Sequence, residues 1–300
     1  MYAIIDVGSN TIRLTVYDVK NNNFKILFNK KIMAGLAGYV EENNLTSEGI
    51  NMACNAILKF KLIVDNFNID NLLVFATASL RNINNTNECI NEIYNKTGIN
   101  IEVISGEEEA ILDFRGATYN LIDMNDGILI DIGGGSTEVV SYSNKEILNA
   151  ISIQIGSLKL YKKYVENIIP IKSELEKLNK VCLKEIEKIK EIKREKYSII
   201  CGVGGTIRAV LKINNFIFNA NDENKVITVS NLKKIFEFLK ENDDNKAIAT
   251  ILKVCPDRIH TIIPGTVLLY NIAKYYNCDV IKVSNYGVRE GYLYSRIIEK

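Results

Sequence analysis

The sequence predicts a duplicated α/β protein, with two related domains at residues 1–123 and 124–300 flanking one cleft. Three observations carry this. The stretch AIIDVGSNTIRL at 3–14 is echoed by ILIDIGGGSTEVV at 128–140, each an apolar run ending in Asp-x-Gly before a small polar turn. Asp6 and Asp131 fall at the same point of the two copies. The same order of elements follows each copy, and a third Gly-rich turn, IICGVGGTIRAV, occupies 199–210.

Apolar alternation predicts three strands at about 2–7, 12–19 and 24–33. A helix follows at about 47–66, capped by Thr46 or Ser47. A strand at 71–77, a helix near 86–96, a strand at 100–104 and a helix from 106 to about 121 complete the first half. The polar tetrad DMND at 123–126 reads as a linker. Strands are expected again at about 127–132, 137–142 and 146–154, then helices at about 157–166 and 172–195. The longer helix carries Leu175, Leu178, Val181, Ile186, Ile189 and Ile192 as an ordinary packing stripe. A strand at 197–202, helices at 205–213, 231–240 and 257–275, a strand at 279–283 and a helix from about 288 end the chain. That last helix is placed to pack back on the first domain.

Composition narrows the function. The net charge of +1 gives no whole-molecule field that calls for nucleic acid or a membrane, so any hold on a polyanion must be local. No secretion signal opens the chain and no apolar run reaches membrane length. The six cysteines are scattered without a C-x-x-C pair, which predicts reduced thiols and a cytoplasmic setting. One histidine, His260, makes a Ser-His-Asp triad or a histidine metal site improbable and reads as a structural or rim residue.

The chemistry concentrates in the turns. Backbone N–H groups that no side chain obstructs cradle phosphate oxygens. The hydroxyls of Ser9, Thr11, Ser136, Thr137 and Thr206 add donors. Asp6, Asp131 and Glu138 offer hard oxygen ligands suited to Mg²⁺. A single turn of this kind is more often a tight hairpin than a phosphate loop. Three in equivalent places reverse that balance.

The set IIDVGSNTIRL, ATASLRNINN, VISGEEEA, DIGGGSTEVV, GVGGTIRAV and VSNYGVREGYLY resembles the exopolyphosphatase/guanosine pentaphosphatase family. The motifs run in the family's order from residue 3 to residue 294. The resemblance implies two ribonuclease-H-like domains of the actin-like ATPase superfamily. It also implies release of the terminal phosphate of inorganic polyphosphate, or of the 5′ γ-phosphate of guanosine pentaphosphate, by a homodimeric, Mg²⁺-dependent hydrolase. DxGSNT alone is shared with kinases of the superfamily, whereas SGEEEA followed by DIGGGSTE is far more specific.

The triplet in VISGEEEAILDF reads first as a helix start, with Ser105 as N-cap and Glu108 at N3. That accounts for Glu107 and Glu108 better than for Glu109, which lies directly before Ala110 and Ile111. The resemblance makes Glu109 the base that activates water. It assigns Arg81, Asn10, Gly134 and Ser136 to phosphate, and Asp131 and Glu138 to the neighbourhood of the cation; the chemistry of the same turns adds Ser9, Gly135 and Thr137 to the phosphate set and Asp6 to the cation. Gly204, Gly205 and Thr206 match the remaining loop. Ile111 stands where the family usually has Arg, with Arg115 one turn on. Arg258 and Arg289 match positions the family often fills with Arg, and ion pairing within the second domain explains them equally. Lys162 and Lys163 read as a solvated helix face in preference to a polyanion contact.

Two alternatives stand beside the hydrolase. A small-molecule kinase of the same superfamily needs an acceptor pocket and an adenosine pocket, of which the sequence gives no sign. A polyphosphate- or alarmone-binding module has no use for a water-activating acid. Longer family members carry a further helical domain that helps enclose the polymer. The stop at Lys300 therefore sets an expectation of short or medium polyphosphate, degraded with weak processivity.

Overall fold

A computed structural model of the protein describes residues 1–119, 125–240 and 244–299. The expected boundary between 123 and 124 lies outside the described residues. The first half holds β1 (Tyr2–Val7), β2 (Ile12–Lys20), β3 (Asn23–Ile32), the short pair β4 (Val40–Glu41) and β5 (Asn44–Leu45), α1 (Ser47–Asn66), β6 (Asn71–Ala76), α2 (Ala78–Arg81), α3 (Thr86–Thr97), β7 (Glu102–Val103) and α4 (Gly106–Thr118). The second holds β8 (Gly127–Ile132), β9 (Thr137–Ser143), β10 (Glu146–Ile153), α5 (Ser157–Tyr164), α6 (Lys172–Ile186), β11 (Ile199–Val203), α7 (Gly204–Ile217), β12 (Val226–Thr228), α8 (Val229–Lys240), α9 (Asp244–Val254), α10 (Ile262–Tyr275), β13 (Val280–Val283) and α11 (Val288–Leu293).

The duplication is visible in topology. The first sheet runs β3-β2-β1-β6-β7 and the second β10-β9-β8-β11-β13, with β12 added at its edge. Each therefore has the order third, second, first, fourth, fifth, and the α/β fold expected from the repeat is observed. Matching hairpin turns close the second and third strands of each sheet. Asn21 and Asn22 take left-handed φ values of 50° and 59°, and Asn144 and Lys145 take 51° and 64°. Paired positive φ values suit the right-handed twist of the strands they join.

Local sequence explains most boundaries. The Thr46 side chain accepts a hydrogen bond from the Gly49 N–H and starts α1, whose buried stripe runs Ile50, Ala53, Ile57, Phe60 and Val64. The Ser105 hydroxyl accepts from Glu108 N–H and starts α4 as expected. The helix expected at 172–195 ends at Ile186, because the chain must turn to enter β11. Ile189 and Ile192 are still buried, so an apolar spacing of three persists without a helix. The helix expected at 257–275 is split into a 3₁₀ turn at Pro256–Arg258 and α10. The helix α9 and the strand β12 carry weak local patterns and were not expected.

Two helices tie the halves together. Ala110, Phe114 and Ala117 of α4 pack on Leu129, Val140 and Tyr142 of the second sheet. Tyr292 and Leu293 of α11 pack on Ile4, Tyr17 and Phe75 of the first. A Cβ on Gly116 would stand 2.0 Å from Gly287 O, and one on Gly291 would stand 1.9 Å from Leu112 O. The close backbone approach of α4 and α11 thus depends on both glycines.

Candidate active site

The three Gly-rich turns and the start of α4 converge on one cleft. It is lined by Asp6, Ser9, Asn10, Thr11, Arg13, Glu109, Asp131, Gly134, Gly135, Ser136, Gly204, Gly205, Arg208, Arg258 and Arg289, among others. The equivalent turns of the two halves meet tip to tip: Gly134 abuts Asn10, and a Cβ on Gly135 would stand 2.6 Å from Ser9 Oγ. Gly204 adopts φ +82°, and a Cβ there would lie 1.8 Å from Asp131 Oδ1. Only glycine fits both the backbone and the space.

Four of the expected site residues stand behind the wall. Thr137 is buried with its hydroxyl donating to Ile155 O, and Thr206 meets Ser157 Oγ at 3.4 Å. Arg81 Nη1 donates to Glu109 Oε2 at 2.7 Å, while its Nη2 lies 3.7 Å from Glu138 Oε1 and 3.4 Å from Ser136 Oγ. Glu138 also accepts from Ser152 Oγ at 2.7 Å. The other residues of the triplet do different work. Glu107 is exposed, and Glu108 pairs with Arg296 at 2.5 Å. Arg115 turns to Glu299 at 2.9 Å, away from the cleft, so it does not replace the arginine expected in place of Ile111.

The acids strain against one another. In their hairpins Asp6 faces Arg13 across the strands, whereas Asp131 faces Glu138. Desolvation pushes Asp6 up to about 6, opposed by Arg289 and Arg13. Desolvation, then the Asp131 charge, pushes Glu138 up to about 7. Glu109 is raised well above the ordinary carboxylate range by burial and by Glu138, with Arg81 opposing. Asp113, which the sequence reading passed over, is fully buried on α4 and is raised well above the ordinary carboxylate range by burial and by the charges of Asp131, Glu109 and Glu138, with the Val288 backbone opposing.

The cations form a second group. Arg13 of β2, Arg208 of α7, Arg258 of the 3₁₀ turn and Arg289 of α11 line the same cleft. Burial first, then Arg289 and Arg208, holds Arg13 down to about 10. Arg289 donates to Thr15 Oγ1 at 3.3 Å in the first half, and Arg258 lies 3.9 Å from its neighbour Asp257. Arg258 therefore has a loose ion pair within the second half, as the competing reading expects, while Arg289 reaches into the first half. Arg13 and Arg208 carried no local signal, since their convergence is a tertiary event. The amide nitrogen of Asn10 is buried without a partner beside them. An unpartnered amide donor and mutually repelling guanidinium groups suit an anion.

Carboxylates and phosphate-type donors thus line one cleft between the halves of a duplicated α/β fold. The chain belongs to the Ppx/GppA phosphatase family, whose model matches residues 15–299. It is 32% identical over 302 residues to a bifunctional 3-dehydroquinate synthase/phosphatase of Fusobacterium nucleatum, with 94% of this chain and 44% of that protein aligned. It is 25% identical to a guanosine-5'-triphosphate,3'-diphosphate pyrophosphatase of Pseudoalteromonas translucida, covering 100% of this chain and 60% of that one. The chain thus spans about half the length of these relatives. The crystal structure of the Aquifex aeolicus Ppx/GppA family member superposes with a TM-score of 0.79 at 25% identity, covering 99% of this chain and 97% of that one.

Proposed function

We propose that the chain hydrolyses terminal phosphoanhydrides, releasing the end phosphate of inorganic polyphosphate, with guanosine pentaphosphate as a second substrate. The carrying observation is the make-up of the cleft: Glu109, four arginines and the glycine turns line one cavity. Phosphoryl transfer needs positioning, charge neutralisation and an oriented nucleophile. The turn N–H groups, Asn10 and the arginines hold the phosphoryl oxygens. Glu109, ionised, accepts a proton as water adds to the terminal phosphorus, and the bond to the bridging oxygen breaks. The shortened chain leaves with that oxygen.

The acids suit a divalent cation. Among the described residues no three of His, Cys, Asp and Glu form a complete metal cage. Mg²⁺ ordinarily keeps waters and takes phosphate oxygens, with one or two carboxylates from protein. Asp6 and Asp131, both on the cleft wall and both raised by burial, fit that limited role. Glu138, behind them, orients Arg81 and Ser152. Bound there, the ion supplies charge neutralisation at the phosphates. Six buried free thiols suit a reducing cytoplasmic setting.

The test is phosphate release from polyphosphate, guanosine pentaphosphate and ATP in parallel, with and without Mg²⁺. Release from the first two, dependent on Mg²⁺ and needing no acceptor, is expected. Turnover only with ATP and a second substrate contradicts the hydrolase.

A further inference from the structure

The cleft opens into a second groove. Ser9, Ala78 and Gly135 line both, and beyond them the groove is walled by Asn43, Asn82 and three lysines of α5, Lys159, Lys162 and Lys163. Among the described residues no Asp or Glu lines it. None of the four arginines of the cleft lines it either. Lys162 reaches from α5 toward the first half, its Nζ standing 2.8 Å from where a Cβ on Gly38 would sit. The three lysine residues are exposed, Lys159 with its ammonium end partly desolvated and Lys163 with its Nζ 5.5 Å from the centre of the Tyr164 ring. Lys159 is held below the ordinary lysine range by burial and then by Lys163.

Three like charges, of which only Lys159 feels a carboxylate (Glu185) in opposition to its burial and to Lys163, keep a positive potential at the mouth of the cleft. Lysine ammonium groups are hydrated point charges on flexible stems, whereas guanidinium forks fix one geometry. Such a surface suits a repeating polyanion that must shift by one phosphate per turnover. The solvated-face reading of Lys162 and Lys163 came from their helix alone. It could not see that α5 borders the turn containing Gly135.

We propose that this lysine groove is a second anion subsite, holding phosphoryl groups of a polyphosphate chain beyond those bound in the cleft. The proposal rests on the polyphosphate reading of the cleft and adds the path of the polymer.

The experiment compares wild type with the triple variant Lys159→Gln, Lys162→Gln, Lys163→Gln. The readout is the ratio of KM for long-chain polyphosphate to KM for tripolyphosphate. Loss of three exposed charge contacts is expected to raise that ratio roughly tenfold and to flatten its salt dependence. The triple Lys→Arg variant should keep the wild-type ratio. An unchanged ratio overturns the proposal. So does an equal change at both lengths with altered inhibition by orthophosphate, which would mark a route for the released product. Binding isotherms on a Glu109→Gln background read the groove without turnover. Weakened long-chain binding in the triple variant supports it even where wild type releases no phosphate, and no polyphosphate binding by wild type overturns it.

Discussion

Arg81 Nη1 lies 2.7 Å from Glu109 Oε2, so a guanidinium behind the cleft wall holds the proposed base before substrate arrives. The two groups are coupled. Burial and Glu138 favour the neutral acid at Glu109, and the guanidinium opposes them. Removing it, as in Arg81→Gln, should raise the Glu109 pKa. The acid limb of the pH profile of kcat/KM should then move to higher pH, with turnover depressed at neutral pH. Arg81→Lys, which keeps a charge but not the fork, should shift the limb less. Coincident limbs in wild type and Arg81→Gln would separate the two residues functionally.

Stability should run opposite to activity with pH. Asp6 and Glu138 have folded values of about 6 and about 7, above ordinary values of 3.8 and 4.5. The folded state therefore binds these protons more tightly than the unfolded chain does. Their contribution is fully present below about pH 4 and is lost as pH rises through 6–7. Glu138→Gln should flatten the fall in stability between pH 5 and 8 measured by urea unfolding without metal. A steeper fall in that variant would contradict the assignment.

The cation should depend on Asp131. Asp131→Asn replaces a hard anionic ligand with an amide, so the Mg²⁺ concentration for half-maximal rate should rise severalfold. Activity that survives complete chelation in wild type would show that no metal is used.

Two glycines with left-handed backbones should respond differently to alanine. At Gly35, φ +60°, a Cβ meets nothing within 4 Å, and the cost should be about 1–2 kcal/mol of backbone strain. At Gly204 the same strain is joined by the collision with Asp131, for roughly 3 kcal/mol or more. Only Gly204→Ala should also weaken catalysis. Urea unfolding and kinetics of both variants separate conformational from steric cost, and equal behaviour would contradict the contact.

What the sequence disclosed, and what it hid, follows from range. Asp6 and Asp131 with their turns were legible because each turn is a local pattern, and its repetition revealed the paired sheets. Glu109 stood out because the start of a helix explained its two neighbours and not it. Arg13 and Arg208 were hidden because one arginine on a strand or helix looks alike whether it faces solvent or a cleft. Their meeting with Arg258 and Arg289 depends on four separate elements. Asp113 was hidden for the same reason, as its burial comes from α11 crossing α4 at Gly116 and Gly291. The early end of α6 was missed because Ile189 and Ile192 keep a helical spacing in a non-helical segment.

Turnover and binding of polyphosphate by Glu109→Gln, set beside Glu107→Gln and Glu108→Gln, test the central claim most directly. Glu109 is buried on the cleft wall, Glu107 is exposed, and Glu108 is paired with Arg296. Loss of a general base should lower kcat by roughly 10²–10⁴-fold while polyphosphate still binds. The other two variants should lose little beyond helix stability. Equal losses at all three positions, or full turnover in Glu109→Gln, would contradict the account.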